Sequence, residues 1–121
     1  AALDAVVPGA VRLDTEEVTR GGQRATKARV RVLVDDPPHR TWASIRAMLA
    51  EADLADETRA RALAAFGRLA EAEARVHGIP VDDVHFHEVG ALDCLADIVG
   101  VVTAMSEFSA HRVFCSPITV G

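Results

Sequence analysis

The segment that could do chemistry lies between residues 85 and 97, where histidines and carboxylates are set into an otherwise apolar stretch. Charged groups in apolar surroundings are costly unless they pair with other groups or bind a metal. Imidazole and carboxylate together suit borderline divalent metals such as nickel, manganese or zinc. The candidate metal ligands in this segment are His85, His87, Glu88, Asp93 and Asp97.

The spacing of these residues predicts that they converge. In an extended strand, His85 and His87 lie on one face, and the residue between them points into the core. In a following helix, Asp93 and Asp97 share a face because residues four apart are neighbours. We expect Gly90 to supply a turn with positive φ that brings the histidine pair to the aspartate pair.

Simpler interpretations of the single residues stay open. Taken alone, Asp93 would be an N-cap, Glu88 a solvated loop charge and His85 a hydrogen-bonded surface histidine. Asp97 is the strongest candidate because apolar residues cover most of its predicted helix, so that a carboxylate there should face a partner or a cavity. The combination of H-x-H with D-x-x-x-D favours a functional site.

A second pair, Glu73 and His77, lies near the end of the second predicted helix. We favour an ordinary helix contact for this pair, with His77 near the C-terminus, where a cation is stabilised. If that helix packs beside the third, both residues could instead be outer ligands or hydrogen-bond partners of the same metal site. His39 and His111 are interpreted as surface residues.

The elements that position these residues are predicted to form one small domain of the α+β (mixed α/β) class over residues 1–121. Its first part is an antiparallel hairpin over 11–18 and 26–34, because apolar and polar residues alternate on both sides of a Gly-Gly turn. We expect its apolar face to be buried and its basic face to be solvated, with a phosphate-binding patch as the alternative for the basic row. Three consecutive helices and a final strand at 112–115 follow.

Apolar residues at helical spacing predict the three helices over 41–52, 56–76 and 92–108. Asp56 is expected to cap the second helix, and Gly78 to end it. The buried stripe of the first helix is predicted to comprise Trp42, Ile45, Leu49 and Met48. That of the second is predicted to comprise Leu63, Phe66, Leu69, Ala70 and Val76.

Composition and charge narrow the classes of function. The chain has 121 residues and a formal net charge of −5, so nucleic acid and anionic membranes are not expected as partners. Cys94 and Cys115 stand in apolar settings and are interpreted as free, buried thiols of a cytoplasmic protein, with a thiolate ligand at Cys94 as the minor alternative. No catalytic triad or phosphate-binding glycine loop is recognisable, so catalytic residues stay unassigned.

Several segments, in the right order, resemble one protein family. The most recognisable motif of the LarC family, the nickel insertion proteins of nickel-pincer nucleotide cofactor synthesis, resembles residues 85–100, H-F-H-E-V-G-A-L-D-C-L-A-D-I-V-G. Further family segments resemble T-R-G-G-Q-R-A-T-K-A-R-V, H-R-T-W-A-S-I-R, L-A-E-A-E-A-R-V-H-G and C-S-P-I-T-V-G. The resemblance therefore runs along the whole chain.

The resemblance implies a cytoplasmic protein that installs nickel in pyridinium-3,5-bisthiocarboxylic acid mononucleotide, the nickel-pincer nucleotide precursor. It implies that CTP is hydrolysed, that manganese or magnesium assists, and that the finished cofactor serves a lactate racemase-type apoenzyme. The candidate ligands and the second pair named above all fall on motif positions of the family. A ligand role for each of them is our own interpretation from their chemistry.

The resemblance also implies a longer protein. The family opens with a segment similar to D-C-F-S-G-I-S-G-D-M and has a C-terminal half that carries the CTP-dependent chemistry, and this sequence contains neither. We therefore expect a fragment of the N-terminal half that contributes binding of nickel or of the precursor. Whether this fragment is an enzyme by itself stays open.

Two other classes of function stay open from the residues alone. H-x-H and Asp are common ligands in divalent-metal-dependent hydrolases, although such sites usually lie on barrels of about 250 residues. The other class is a structural or homo-oligomerising domain whose polar cluster is a buried hydrogen-bond network without metal. The chain is too short to form such a barrel, and the structural domain would be distinguished by absent metal affinity and a large loss of stability on Asp97→Ala.

Overall fold

The computed structural model describes residues 2–35, 39–87, 89–109 and 112–119. In chain order the elements are α1 (Ala2–Val6), β1 (Val11–Arg20), β2 (Gln23–Val32), β3 (Arg40–Thr41), α2 (Trp42–Glu51), α3 (Asp56–His77), a 3-10 turn (Val81–Asp83), β4 (His85–Phe86) and α4 (Leu92–Glu107). The strands form two antiparallel two-stranded sheets, β1–β2 and β3–β4. Helices and antiparallel sheets in one small domain confirm the α+β prediction.

The hairpin of β1 and β2 follows from its two-residue turn. Gly21 and Gly22 have φ values of 54° and 78°, and a two-residue hairpin turn of this hand requires positive φ at both positions. Glycine adopts this region without steric cost, so the turn fixes the register of the ten residue pairs between the strands. The hairpin predicted from the sequence is confirmed.

The hairpin is more exposed than the sequence predicts. Val11 at its base is buried and Val30 is partly buried, whereas Ala28, Val32 and Val34 are exposed. The prediction of a continuous buried face is therefore wrong in the described structure, because only the base of the hairpin packs on the helices. In the basic row, Arg29 pairs with Glu16 and Arg31 with Asp14 on β1, and most of these side chains are exposed. The row comprises Arg20, Arg24, Lys27, Arg29 and Arg31.

Glu16 is the clearest electrostatic feature of this surface. A hydrogen bond donated by Arg29, at 2.6 Å between Nη2 and Oε1, holds the pKa of the Glu16 carboxyl below its usual range. A second ion pair joins Arg31 to Asp14 at 2.6 Å. Fully exposed pairs of this kind contribute little to stability, since water and salt screen them.

We expect Glu16 to titrate in the folded protein with a pKa below 4.5, and Arg29→Gln to raise that pKa. Because the folded-state pKa is lowered, the small stabilisation is present above the unfolded pKa and is lost as pH falls through the folded pKa. Side-chain carbon NMR measures the midpoint. Arg24→Gln is the matched control and should leave it unchanged, and a Glu16 midpoint at or above 4.5 would contradict the interpretation.

The helix ends show which local signals are used. Thr41 caps α2 by accepting a hydrogen bond from the Ser44 amide at 3.0 Å. Gly78 ends α3 in the left-handed conformation with φ 65°, as predicted. The prediction that Asp56 caps α3 is wrong: Ala55 occupies the N-cap position, and the Asp56 carboxylate accepts a hydrogen bond from Arg59 instead.

The core lies between α2, α3, α4 and β4. Its largest fully buried side chains are Phe66, Phe86, Ile45, Leu49, Leu95, Val84 and Val99. The predicted stripe of α2 is confirmed, with Met48 at its partly buried margin. Val76 is an exception on α3, since it is 80% exposed. The buried line of α3 runs through Phe66, Ala70 and Ala74, which turns Val76 toward solvent.

Three further expectations need correction. The final strand predicted at 112–115 is not formed, because residues 112–119 have no regular structure and no paired neighbour there, and Val113 and Phe114 are exposed. Cys115 is exposed and Cys94 is half-buried, so only part of the buried-thiol interpretation holds, although both are free. Helix α1, with Val6 buried, has too few residues to give a periodic signal and was not predicted.

Candidate functional site

The H-x-H motif lies on β4, which is held in place by β3. Arg40 pairs with Phe86, and Thr41 pairs with His85. Phe86 is 1% exposed, whereas His85 and His87 are both exposed. This alternation confirms that the two histidines share one face while the residue between them anchors the strand in the core.

A pocket of about 300 Å³ adjoins this face. It is lined by His77, Ile79, Val84, His85 and His87. His77 Nε2 lies 3.2 Å from a carboxylate oxygen of Glu73, one helical turn earlier. The helix contact predicted for this pair is therefore present, and His77 also reaches the pocket of the H-x-H motif. The three imidazoles come from the end of α3, from β4 and from the residue that follows β4.

The aspartate pair lies elsewhere on α4. Ala91 is the N-cap of this helix, so Asp93 is not the cap, and its carboxylate accepts a hydrogen bond from the Cys94 amide at 2.8 Å. Asp97 is exposed and lies on the same side as Val101, which is 59% exposed. Helix α4 buries its opposite face, and the expectation that Asp97 faces a partner or a cavity stays a prediction.

The link between β4 and α4 also differs from expectation. Among the described residues, positive φ is confined to other glycines and Ser109, so Gly90 does not make the predicted left-handed turn. Gly90 instead permits a close approach, since an added Cβ would lie 2.8 Å from the Phe86 carbonyl oxygen and 3.0 Å from the Arg40 amide nitrogen. The Arg40 guanidinium donates a hydrogen bond to the Gly90 carbonyl.

Within the described ranges, no three side chains of the types His, Cys, Asp and Glu form a ready group for a metal ion. Neither Asp93 nor Asp97 lines the histidine pocket. Glu88, the remaining candidate ligand, lies outside the described residues. The ligand roles assigned from the sequence stay predictions. What the structure brings together is His77, His85 and His87, with Glu73 against His77.

One neighbour of this site was missed from the sequence. The Nδ1 atoms of His39 and His87 lie 3.1 Å apart, and the two rings meet edge to face with centroids 4.6 Å apart. His39 is exposed, as predicted for a surface residue, but it is not isolated. The signal that could have found it is the register of β3 with β4, which continues to the pair His39 and His87.

In the part of the chain that the structure covers, every helix is too short or too polar to cross a membrane. The domain is thus a small α+β unit that presents a group of exposed histidines beside a half-closed pocket. This arrangement is a candidate metal-binding surface, and the comparisons with known proteins show to which family the domain belongs.

The sequence profile of the family "Nickel insertion protein" matches residues 1–121. A Nocardioides protein named pyridinium-3,5-bisthiocarboxylic acid mononucleotide nickel insertion protein is 54% identical over 121 residues, which is all of this chain and 30% of that protein. A putative nickel insertion protein of Synechococcus sp. (strain JA-3-3Ab) is 45% identical over 113 residues, covering 93% of this chain and 28% of its own length. The search of the solved structures gave no significant match.

The chain therefore belongs to the nickel insertion protein family. It spans less than a third of the length of the curated relatives that it matches. A third relative, a putative nickel insertion protein of Thermomicrobium roseum, is 46% identical over 107 residues, which are 88% of this chain and 26% of that protein. The names of these family members refer to nickel and to its insertion into a mononucleotide, which is a step of cofactor synthesis.

Proposed function

We propose that this chain provides a nickel-binding surface for insertion of nickel into pyridinium-3,5-bisthiocarboxylic acid mononucleotide, the compound named for the Nocardioides relative. The observation that carries the proposal is the convergence of His77, His85 and His87 on one pocket. In this reaction nickel is the cargo that is handed on, and the mononucleotide is its acceptor.

The chemistry of the pocket supports this assignment. Neutral imidazole is a borderline nitrogen donor that suits nickel better than it suits hard ions such as magnesium. The contact with Glu73 orients the ring of His77 by occupying Nε2 and leaves Nδ1 free to bind an ion. Because the histidines are exposed, an ion held there stays accessible to an acceptor molecule.

The carboxylates are not part of the histidine pocket and are proposed only as additional ligands. Asp93, Asp97 and Glu88 stay predicted as further nickel ligands, which would require a rearrangement or an additional segment to bring them to the histidines. A manganese or magnesium ion acting with CTP is proposed only for the longer protein. No residue of this chain is assigned to that ion.

The wider setting follows from the family resemblance. We propose a cytoplasmic location, with the nickel-pincer nucleotide precursor as the molecule that receives nickel and a lactate racemase-type apoenzyme as the user of the finished cofactor. Self-association is a further proposal, and sedimentation of the purified chain tests it. Residues that bind the nucleotide stay unassigned.

The alternatives receive less support. A buried polar network would require the central residues to be enclosed, but His85, His87, Asp93 and Asp97 are all exposed. A barrel hydrolase would require a closed parallel sheet, and the described sheets are two antiparallel pairs of strands. Nickel binding at the histidines is therefore the function that the geometry supports best.

Replacing His85 and His87 together with alanine should abolish tight nickel binding to the metal-stripped chain. Titration calorimetry at neutral pH measures the affinity, and manganese and zinc serve as comparison ions. Binding to the parent chain should also weaken in acid, because protonated imidazole cannot bind a metal. The side chains are exposed, so the double variant should unfold at the same temperature as the parent.

A matched control uses Thr19→Ala with Arg24→Ala, a directly opposed pair of exposed residues near the hairpin turn. This control should bind nickel as the parent does. A second double variant, Asp93→Ala with Asp97→Ala, tests the carboxylates and should bind nickel more weakly if they reach the ion. Undiminished nickel affinity in the His85/His87 variant would refute the proposed function.

A further inference from the structure

The contact between His39 and His87 is not explained by the pocket alone. His39 does not line that pocket, yet its Nδ1 atom lies 3.1 Å from Nδ1 of His87. The rings are nearly perpendicular, with an interplanar angle of 81°. The contact is therefore edge to face, with the two Nδ1 atoms close together and no stacking of the rings.

The sheet explains why these two residues meet. Arg40 lies opposite Phe86 and Thr41 lies opposite His85, so the next pair in the same register is His39 with His87. Directly opposed residues of an antiparallel pair project from the same face, with their side chains close together. Phe86 holds the other face in the core, so the two histidines project together toward solvent.

The distance between the Nδ1 atoms of His39 and His87 limits what can hold the two rings together. Without a metal, a close Nδ1–Nδ1 contact requires one nitrogen to carry the proton and the other to accept it, and two protonated rings would repel each other. A divalent ion about 2.1 Å from each of two imidazole nitrogens holds them roughly 3.0–3.4 Å apart at octahedral or tetrahedral angles. The observed distance of 3.1 Å lies in that range.

We propose that His39 and His87 bind one divalent metal ion between their Nδ1 atoms, so that His39 is a ligand of the site and not a surface bystander. The inference rests on the proposed function in taking this ion to be nickel. On binding, the proton shared between the two Nδ1 atoms leaves and its ring becomes protonated at Nε2. Both imidazoles stay neutral, and both nitrogen lone pairs face the ion.

The pair also suggests why the site would release its cargo. Two imidazoles fill only part of the coordination shell of nickel, and the remaining positions are open to water or to an incoming acceptor. The sulfur atoms of a bisthiocarboxylic acid are soft donors that can take those positions. His85 lines the pocket next to His87 and is therefore a further imidazole near the proposed ion.

The test is nickel binding by His39→Ala, with His39→Gln as a second variant. We expect each to bind nickel roughly 100-fold or more weakly than the parent, beyond the 10–100-fold typical of residues that only orient a ligand. Nickel X-ray absorption of the loaded protein should show one imidazole fewer in each variant. The control with Thr19→Ala and Arg24→Ala, which lies on the hairpin, should change neither measurement.

The outcomes separate this inference from the proposed function. If both His39 variants keep the parent affinity and the same number of imidazole ligands, while the His85/His87 variant loses nickel, then the His39 assignment fails and the proposed function stands. If neither the parent nor any variant binds nickel, both fail. Thermal unfolding at the parent midpoint shows that an affinity loss in the His39 variants does not arise from misfolding.

Discussion

Replacing Phe86 with alanine should destabilise the domain by about 3–5 kcal/mol, the usual range for removal of a buried aromatic ring. The Phe86 side chain is 1% exposed, and its ring centroid lies 6.5 Å from that of Phe66. Domains of this size are stable by only about 5–15 kcal/mol, so a large part of the stability would be lost. Urea denaturation measures the free energy of unfolding.

The matched control is Phe108→Ala, because the Phe108 side chain is 85% exposed. Its effect should stay within about 0.5 kcal/mol. The Phe86→Ala variant should also bind nickel less tightly under conditions where this variant is still folded. The reason is that Phe86 anchors the backbone between His85 and His87. Equal unfolding free energies for the two phenylalanine variants would contradict the assignment of Phe86 to the core.

Gly90→Ala should destabilise the domain by about 1–3 kcal/mol, the range for forcing an extra carbon into a filled space. The new Cβ would meet the Phe86 carbonyl oxygen and the Arg40 amide, both of them backbone atoms that cannot rotate away. The expected relief is a shift of β3 against β4. That shift would also move His39 relative to His87 and lower nickel affinity.

Gly100→Ala provides a control of opposite sign. Gly100 lies in α4, where an added Cβ has nothing within 4 Å. Alanine should stabilise this helix by about 0.5–1 kcal/mol, since it loses less conformational freedom than glycine on folding. Thermal and urea unfolding of both variants tests the pair, and a change in the same direction for both would show that the close approach at Gly90 is not limiting.

The sequence was sufficient where local physics decides the structure. Helices α2 and α4 lie within two residues of their predicted bounds, because apolar spacing and terminal signals are local. The end of α3 at Gly78 and the turn at Gly21 and Gly22 follow from positive φ, which glycine adopts at little cost. These elements could be predicted without knowing what they pack against.

Other features depend on partners that are distant in sequence. Val76 and Val101 have the apolar character of core residues, but neither faces a neighbouring element. Strand β3 contains two residues, too few for any periodic pattern, and it exists because β4 pairs with it. Because β3 was not predicted, there was no reason from the sequence to place His39 next to His87, and His39 was interpreted as a surface residue.

The candidate site was predicted in part. The shared face of His85 and His87 followed from strand alternation, and His77 reached the pocket through the packing of α3. The predicted convergence with Asp93 and Asp97 depended on a positive φ at Gly90, and Gly90 does not adopt one. Local spacing therefore identified the histidines correctly, whereas the direction of the following helix required the tertiary structure.

The contact between His39 and His87 joins residues that are 48 positions apart, and the loop it closes contains the whole of α2 and α3. A metal ion held between the two rings would cross-link that loop and lower the conformational entropy of the unfolded chain. Binding and release of nickel would then change how often α2 and α3 unfold locally. Amide hydrogen exchange in α2 and α3 would report whether the cargo is present, even though neither helix interior touches the ion.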